Sequence, residues 1–171
     1  NKGREAMEAK WLFDVDYDDI EVLIHPESII HSMVEYQDTA IIAQLGTPDM
    51  RLPIQYALTY PHRLPLLGGK HLSLSDIGTL HFEKPDVHRF HALALAYEAG
   101  RKGGSMPCVL NGANEQANAL FLSKKIAFLD IEKYVEETMR AHHWVDHPTL
   151  EQLIEIDQWA RNFVRERVGE I

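Results

Sequence analysis

The stretch SIIHSMVEYQDTAIIAQL, residues 28–45, decides the fold of the first half of the chain. Its two ends are short runs rich in Val and Ile, and the polar pair Gln37-Asp38 separates them. Short β-branched runs that flank such a pair are typical of a β-hairpin. Because both runs are apolar at nearly every position, we expect both faces of the resulting sheet to be covered.

The segments around this hairpin predict one more strand and two helices. Residues 21–25 form another run rich in Val and Ile, which predicts a third strand joined to the hairpin. Residues 2–13 are mostly good helix formers, and a second helix is expected between about 49 and 60. This part of the chain is therefore expected to be a short, mostly antiparallel sheet with flanking helices.

Beyond residue 85 the apolar residues recur at helical spacing. The clearest stripe consists of Met106, Val109, Leu110, Ala113, Ala117, Leu120 and Phe121. Comparable stripes predict further helices over 86–102, from 130 and from 149, with Ser105, Asp130 and Thr149 as N-terminal caps. Gly103-Gly104 is expected to end the 86–102 helix. Four helices joined by short connections are typical of a compact bundle.

A segment rich in Pro and Gly separates the two halves. It covers residues 63–85, which we interpret as a linker. The sequence therefore predicts an α+β protein with three parts: an α/β part over 1–62, the linker, and a helical bundle over 86–171. A chain of 171 residues is long enough for each half to bury a core.

Composition and charge exclude several classes of protein. The net charge of −9 argues against a nucleic-acid-binding protein, which would need a basic patch on its surface. No apolar stretch approaches the roughly 18–20 residues needed to span a bilayer, so we expect no membrane partner. The single cysteine, Cys108, cannot form an internal disulfide and fits a reducing compartment. Its apolar helical surroundings favour an inert core thiol over a nucleophile.

The ten histidines raise the question of a metal site. His142, His143 and His147 lie near a predicted helix end, and His88 and His91 are one turn apart, but neither group has the companions of a closed zinc site. His31 lies within an apolar run, where a buried imidazole needs a hydrogen-bond partner. The first interpretation of His31 is a core histidine whose imidazole has a hydrogen-bond partner. The alternative is a functional residue.

The first five residues hold an amide, an ammonium and a carboxylate within one helix turn. Asn1 and Glu5 are four residues apart and therefore share one helix face. Helix N-terminal N–H groups and Lys2 favour an anion such as phosphate, and Glu5 could bind a hard cation through oxygen. The spacing alone is commonplace. Since this polar turn begins the chain, we expect a piece of a longer protein cut at a functional site.

Several longer motifs occur along the chain: NKGxE at 1–5, WLF at 11–13, EVLIHPxSxIHSMV at 21–34, QLGxPDMRxPI at 44–54 and LNxANE at 110–115. Together they resemble one family, the 1-deoxy-D-xylulose 5-phosphate reductoisomerases of the non-mevalonate isoprenoid pathway. The 21–54 stretch is the most specific of them. Arg4 occupies a position where we would expect an apolar residue in this family, and this single difference does not weaken the resemblance.

The resemblance implies a role for five residues. Asn1 and Lys2 would hydrogen-bond a small phosphorylated sugar substrate, and Glu5 would be one of three carboxylates that bind Mg²⁺ or Mn²⁺. Met50 would lie against the nicotinamide of NADPH. His31 would be a catalytic-site residue that hydrogen-bonds or orients. In such an enzyme the metal polarises a carbonyl for a skeletal rearrangement, and NADPH reduces the resulting aldehyde.

The resemblance also implies what this chain lacks. Residues 1–62 would be the remainder of the catalytic domain, and the dinucleotide-binding domain and two further metal ligands would lie upstream. The chain alone is therefore expected to be inactive. We expect a homodimer formed through the sheet of the catalytic domain, in a bacterial cytoplasm or a plastid stroma. The alternatives are a non-catalytic dimerisation module and a related oxidoreductase with a different substrate.

Overall fold

The structure is a computed structural model that describes residues 2–169. The described chain divides into two compact units. One unit combines the residues up to Val22 with those from Pro85 onward, and the other is Leu23–Lys84. No helix within residues 2–169 is long and apolar enough to cross a membrane.

The Leu23–Lys84 unit contains the predicted hairpin. Strand β1 (Ile30–Glu35) pairs antiparallel with β2 (Ile41–Leu45), and Met33 lies opposite Ala43. At the turn, the Tyr36 N–H donates to the Ala40 carbonyl at 2.9 Å. The Asp38 carboxylate accepts the Ala40 N–H at 3.0 Å, which is how a short polar side chain stabilises a turn. The hairpin prediction is confirmed.

The predicted third strand is wrong. Within 21–25 only Ile24 is bridged, and its partner is Glu83 rather than the hairpin. The Ile24 N–H donates to the Glu83 carbonyl at 2.8 Å, and the Glu83 N–H donates back at 3.0 Å. Since the backbone groups of Ile24 are satisfied by the 81–83 segment, this run does not extend the two-stranded sheet.

The expected covering of both sheet faces is also wrong for the described residues. Ile41 and Ile42 are neighbours and therefore point to opposite faces, yet they are 60% and 62% exposed. Met33 and Val34, which are neighbours in β1, are likewise exposed. The apolar side chains of these two strands are therefore not explained by burial within the described residues.

Two helices complete this unit. Helix α2 (Arg51–Thr59) begins after Asp49, whose carboxylate accepts the Arg51 N–H at 3.0 Å and contacts the Arg51 guanidinium at 2.6 Å. The Arg51 guanidinium lowers the pKa of Asp49 below its usual value. Helix α3 (Leu74–Ile77) is a single turn within the predicted linker.

The other unit is a helical bundle. It consists of α1 (Lys2–Phe13), the 3-10 turn Tyr17–Asp19, α4 (His91–Lys102), α5 (Met106–Leu122), α6 (Asp130–Ala141) and α7 (Leu150–Val168). Helix α5 packs on α4, α6 and α7, and α1 packs on α4. The core consists of Leu95, Ala96, Ala99, Met106, Val109, Leu110, Ala113, Ala117, Leu120, Val135, Met139, Ala160 and Val164. The predicted α5 stripe is therefore confirmed, apart from Phe121, which is only partly buried.

Two helix starts differ from the sequence prediction, and at a third the predicted cap, Ser105, lies at the N-cap position without a capping hydrogen bond from its side chain. Helix α4 begins at His91 rather than 86, because the Asp86 carboxylate accepts two N–H groups at 3.0 Å and holds 87–90 in a turn. Asp130 is the first residue of α6 and not its cap. The Ser105 side chain makes no capping hydrogen bond to α5 and is used in tertiary contacts instead.

Two other helix ends are confirmed. Thr149 and Gln152 form a reciprocal capping box, in which the Gln152 N–H donates to Thr149 Oγ1 at 3.3 Å and the Thr149 N–H donates to Gln152 Oε1 at 2.9 Å. Gly103 ends α4 with a φ of 64°, a conformation that favours glycine. These two helix ends could be predicted from the sequence because the residues that cap a helix lie close to its end in the chain.

The compact units group the chain differently from the predicted 1–62, 63–85 and 86–171 parts. Helix α1 packs with the bundle, whereas 63–84 belongs with the hairpin and α2. The change near residue 85 coincides with the division between the units. The assignment of 1–62 to a larger catalytic domain stays a prediction, since that domain would extend beyond this chain.

A buried Ser–His pair predicts how the bundle responds to pH. The fully buried Ser105 hydroxyl lies 2.8 Å from His142 Nε2 and accepts the Val145 N–H at 2.9 Å. Burial, followed by the nearby His143, lowers the pKa of His142 below its usual 6.5. A histidine with a lowered pKa binds fewer protons folded than unfolded, so its contribution to stability is lost as the pH falls below about 6.5.

We therefore expect the free energy of unfolding to fall between pH 7.5 and 5.5 more steeply in the wild type than in His142→Gln. All three tryptophans, Trp11, Trp144 and Trp159, lie in the bundle unit, so fluorescence-monitored denaturation reports on that unit. His147→Gln is the matched control, because His147 is 93% exposed. Parallel pH profiles for the wild type and His142→Gln would contradict the prediction.

Candidate functional site

The predicted substrate and metal residues lie in the first turn of α1. Lys2 Nζ and the Glu5 carboxylate form a direct ion pair, and both side chains are more than half exposed. Asn1, the other predicted substrate residue, lies outside the described residues. The structure thus brings together a cation and a carboxylate at an exposed helix start, where N–H groups also favour an anion.

A polar network connects this helix to the LNxANE segment of α5. The Arg4 guanidinium donates to Asn111 Oδ1 at 2.8 Å and lies 4.0 Å from Glu115 Oε1. Arg161 on α7 donates to Glu115 at 2.6 Å and to Asp157 at 2.7 Å. The Arg161 hydrogen bond lowers the pKa of Glu115. The polar side chains of this segment therefore hydrogen-bond across helices as well as within α5, where Asn111 Nδ2 donates to Glu115 Oε1 at 3.4 Å.

His31 is exposed, so its first interpretation as a core histidine is wrong. It lies in β1 at an irregularity of the sheet, because Ile30 pairs with Leu45 whereas Ser32 already pairs with Gln44. Such bulges redirect a side chain and are frequent near active sites. The structure leaves the functional interpretation of His31 open and gives no support for a core histidine within the described residues.

Met50 lies at the start of α2 and is 71% exposed. The preceding loop is held by Asp49, whose carboxylate binds the Arg51 guanidinium. A large apolar side chain displayed on a braced loop suits contact with a flat, partly apolar ligand surface. Met50 and His31 belong to one compact unit, and Lys2 and Glu5 belong to the other.

His25, Glu27 and His81 form a cluster that the sequence does not predict. Glu27 binds His81 Nδ1 at 2.5 Å, accepts the His81 N–H at 3.2 Å and lies 3.1 Å from His25 Nδ1. His25 Nδ1 also lies 2.8 Å from the His81 carbonyl, and its ring stacks on Phe82 with centroids 4.8 Å apart. The cluster ties 81–83 to the base of the hairpin. Glu27 and His81 are 54 residues apart, so no local pattern indicates the cluster.

A hard divalent cation such as Mg²⁺ requires several oxygen ligands. An exposed carboxylate such as Glu5 fits as one oxygen ligand of Mg²⁺. Among residues 2–169, however, no group of three or more His, Cys, Asp or Glu residues could hold a metal ion. Glu5 can therefore contribute one ligand, and the remaining ligands would have to come from outside the described residues.

Cys108 behaves as a structural thiol. It is partly buried, and its Sγ donates to the Leu153 carbonyl at 3.3 Å. Burial raises the pKa of the Cys108 thiol above its usual value, with a further contribution from Asp157. A raised pKa keeps the thiol protonated and unreactive, as the sequence analysis expected.

Comparison with known proteins decides the family. Residues 45–163 match the family described as the DXP reductoisomerase C-terminal domain. The chain belongs to this family. The match begins at the last residue of β2 and covers α2 and most of the bundle, so it includes the LNxANE segment and Met50 but not α1.

Curated relatives extend the similarity of this DXP reductoisomerase family member to nearly the whole chain. A 1-deoxy-D-xylulose 5-phosphate reductoisomerase of Geobacillus sp. (strain WCH70) is 58% identical over 165 residues, which are 96% of this chain and 43% of the relative. Reductoisomerase 1 of Bacillus thuringiensis is 58% identical over 166 residues, or 97% of this chain and 43% of the relative. This chain thus spans less than half the length of these relatives.

Solved structures show the same fold. The reductoisomerase of Zymomonas mobilis in complex with NADPH matches with a TM-score of 0.91 and 44% identity, over 100% of this chain and 45% of that one. A DOX-P reductoisomerase in complex with NADPH, fosmidomycin and magnesium matches with a TM-score of 0.89 and 39% identity, over 98% of this chain and 43% of that one. The α+β architecture of the sequence prediction is confirmed.

The His81–Glu27 contact predicts a measurable titration. The side-chain hydrogen bond from His81 is the main cause that lowers the pKa of Glu27 from 4.5 to about 2. Replacing His81 removes that donor, so we expect the pKa of Glu27 in His81→Ala to rise towards 4.5. Carboxyl carbon chemical shifts followed by NMR during an acid titration measure both values.

The control for this titration is His71→Ala, which removes an exposed histidine of the same unit and should leave the Glu27 titration unchanged. A Glu27 carboxyl that titrates near 4.5 in the wild-type chain would contradict the cluster geometry. Equal shifts in both histidine variants would show that general charge, not the specific contact, sets the pKa.

Proposed function

We propose that this chain is the C-terminal part of a 1-deoxy-D-xylulose 5-phosphate reductoisomerase. Such an enzyme converts 1-deoxy-D-xylulose 5-phosphate to 2-C-methyl-D-erythritol 4-phosphate by metal-assisted rearrangement and NADPH-dependent reduction. The observation that carries the proposal is 58% identity to a curated reductoisomerase over 96% of the chain. The exposed pair Lys2 and Glu5 on α1 fits that function.

In the proposed site, α1 presents two complementary charges. Glu5 would supply an oxygen ligand to Mg²⁺ or Mn²⁺, and Lys2, with Asn1, would bind the phosphate or hydroxyl groups of the substrate. In the structure these two side chains neutralise one another. A bound divalent cation would take the place of the Lys2 ammonium beside Glu5. An anionic substrate group would take the place of the Glu5 carboxylate beside Lys2, so each side chain would exchange one opposite charge for another.

Two residues of the Leu23–Lys84 unit would also contact ligands. Met50 would lie against the nicotinamide of NADPH, which its exposure on a braced loop permits. His31 would hydrogen-bond or orient a reacting group from the bulge in β1. When bound, the metal supplies Lewis-acid polarisation of the substrate carbonyl, and NADPH supplies the hydride.

Our first functional prediction concerns Glu5. We define the full-length protein as a polypeptide of the relatives' length that contains this chain. Glu5→Gln in that protein removes a charged oxygen ligand, so we expect the half-saturating Mg²⁺ concentration to rise on the order of 10- to 100-fold. Steady-state NADPH oxidation at varied Mg²⁺ measures the change.

Glu8→Gln is the matched control, because Glu8 is an exposed glutamate on the same helix and the resemblance gives it no role. It should retain the wild-type Mg²⁺ dependence. The 171-residue chain alone should show no turnover, since it supplies only one of the expected carboxylate ligands. An inactive full-length protein, or turnover by the chain alone, would overturn the proposed function.

We also propose a homodimer formed through the hairpin, in a bacterial cytoplasm. In the described residues the sheet has only two strands, so each strand has an edge that no strand covers, and the apolar Ile41 and Ile42 are exposed. The relatives compared above come from bacteria, which supports a bacterial source.

The dimer proposal predicts self-association that depends on this hairpin. Sedimentation of the wild-type chain should show a concentration-dependent dimer, and Ile42→Lys should weaken dimerisation by placing a charge in the apolar contact. Leu122→Lys is the matched control, since Leu122 is 78% exposed at the end of α5. A strict monomer at all concentrations, or equal effects of both substitutions, would contradict it.

A further inference from the structure

Helix α1 has one face that packs on the bundle and another that carries the charged pair. Ala6 is 4% exposed, and Met7 packs against the bundle core. Gly3 and Ala6 are three residues apart and share this packed face. Glu5 is offset by about 200° from Gly3 around the helix, so it projects away from the bundle.

At Gly3, α1 lies close against α4. A Cβ atom placed on Gly3 would overlap the Cβ of Ala96 and would also touch Leu93 Cδ1 at 4.0 Å. Ala96 is 5% exposed, and its Cβ is fixed to the α4 backbone, so no side-chain rotation could relieve the overlap. Because carbon atoms pack at about 3.5–4.0 Å, a methyl group on Gly3 would push the helices apart by on the order of 1 Å.

The segment that follows α1 is held to the same helix. Tyr17, which is 7% exposed, packs where Gly100 lacks a side chain, and a Cβ on Gly100 would overlap its ring. Tyr97 Oη donates to the Ile20 carbonyl at 3.2 Å. Gly100 lies one turn after Ala96 on the same face of α4. Two small residues on successive turns of α4 therefore face the chain segment that carries Lys2 and Glu5.

We propose that Gly3 and Ala96 are positioning residues of the reductoisomerase site: their contact fixes α1 on α4 and so sets where Lys2 and Glu5 stand. The inference rests on the proposed function of Lys2 and Glu5. It makes the C-terminal bundle a determinant of metal and substrate binding, through a contact that involves no charged group.

A substitution cycle in the full-length protein tests this contact. Gly3→Ala inserts the overlapping methyl group, and Ala96→Gly removes the group it meets. A misplacement of about 1 Å can lower the rate on the order of 100-fold, so we expect that loss of kcat/KM in Gly3→Ala. The half-saturating Mg²⁺ concentration should rise by roughly 10-fold or more, and the double variant should recover most of both.

The matched control is Gly3→Ala combined with Ala94→Gly. Ala94 lies on α4 about 200° from Ala96, so this variant carries the same helix-weakening glycine without making room for the methyl group. It should remain as impaired as Gly3→Ala. An unaffected Gly3→Ala protein, loss of activity without a change in the Mg²⁺ dependence, or equal recovery with both glycine substitutions would overturn the proposal.

Hydrogen exchange of the 171-residue chain supplies a readout independent of activity. The amides of α1 should exchange faster in Gly3→Ala than in the wild type, and Ala96→Gly should restore their protection while Ala94→Gly should not. If the wild-type full-length protein is inactive, the proposed function fails, whereas the exchange pattern still decides the α1–α4 contact. Unchanged α1 protection in Gly3→Ala would overturn the positioning role even in an active enzyme.

Discussion

The bundle unit depends on the burial of one face of α5. This helix packs on α4, α6 and α7, and Val109, Ala113 and Ala117 are completely buried. Burial of a single larger apolar side chain contributes about 1.5–3 kcal/mol, so a helix buried along several turns dominates the stability of the unit. The other helices are arranged by their contacts with α5, and α1 is in turn arranged by its contact with α4.

The hairpin unit is stabilised differently. An isolated two-stranded hairpin is marginal in water, and the strands here bury almost no apolar surface within the described chain. The base of the hairpin is instead tied to the 81–83 segment by the Ile24–Glu83 bridge and by Glu27, which binds His81. Residues that look like a linker in the sequence therefore act as a structural partner of the hairpin.

The sequence predicted the features that local chemistry determines. The spacing of apolar residues in α5, the capping box at Thr149 and the polar turn at Gln37-Asp38 all depend on residues within a few positions of one another. The proposed site residues rest on a different kind of signal, because no spacing distinguishes Lys2 and Glu5 from an ordinary first helix turn. Only the longer motifs that accompany them indicated a function.

The errors arise where a partner distant in sequence decides the outcome. Residues 21–25 have the composition of a strand, but Ile24 pairs with Glu83. The apolar run around His31 suggested burial, yet nothing within the described chain covers that strand. The cluster of His25, Glu27 and His81 went unnoticed for the same reason, since a histidine 54 residues away has no signature in the local pattern.

The two ends of α1 show how far its position is determined within this chain. Gly3 and Ala6 are packed on α4, whereas Trp11, Leu12 and Phe13 are all more than 70% exposed. Three consecutive large apolar side chains form an exposed patch of the kind that marks a contact surface. The first turn of α1, which carries Lys2 and Glu5, is the end that the bundle holds. The geometry of the charged pair is therefore set by the close helix contact at Gly3, and the exposed end remains available for a second packing partner.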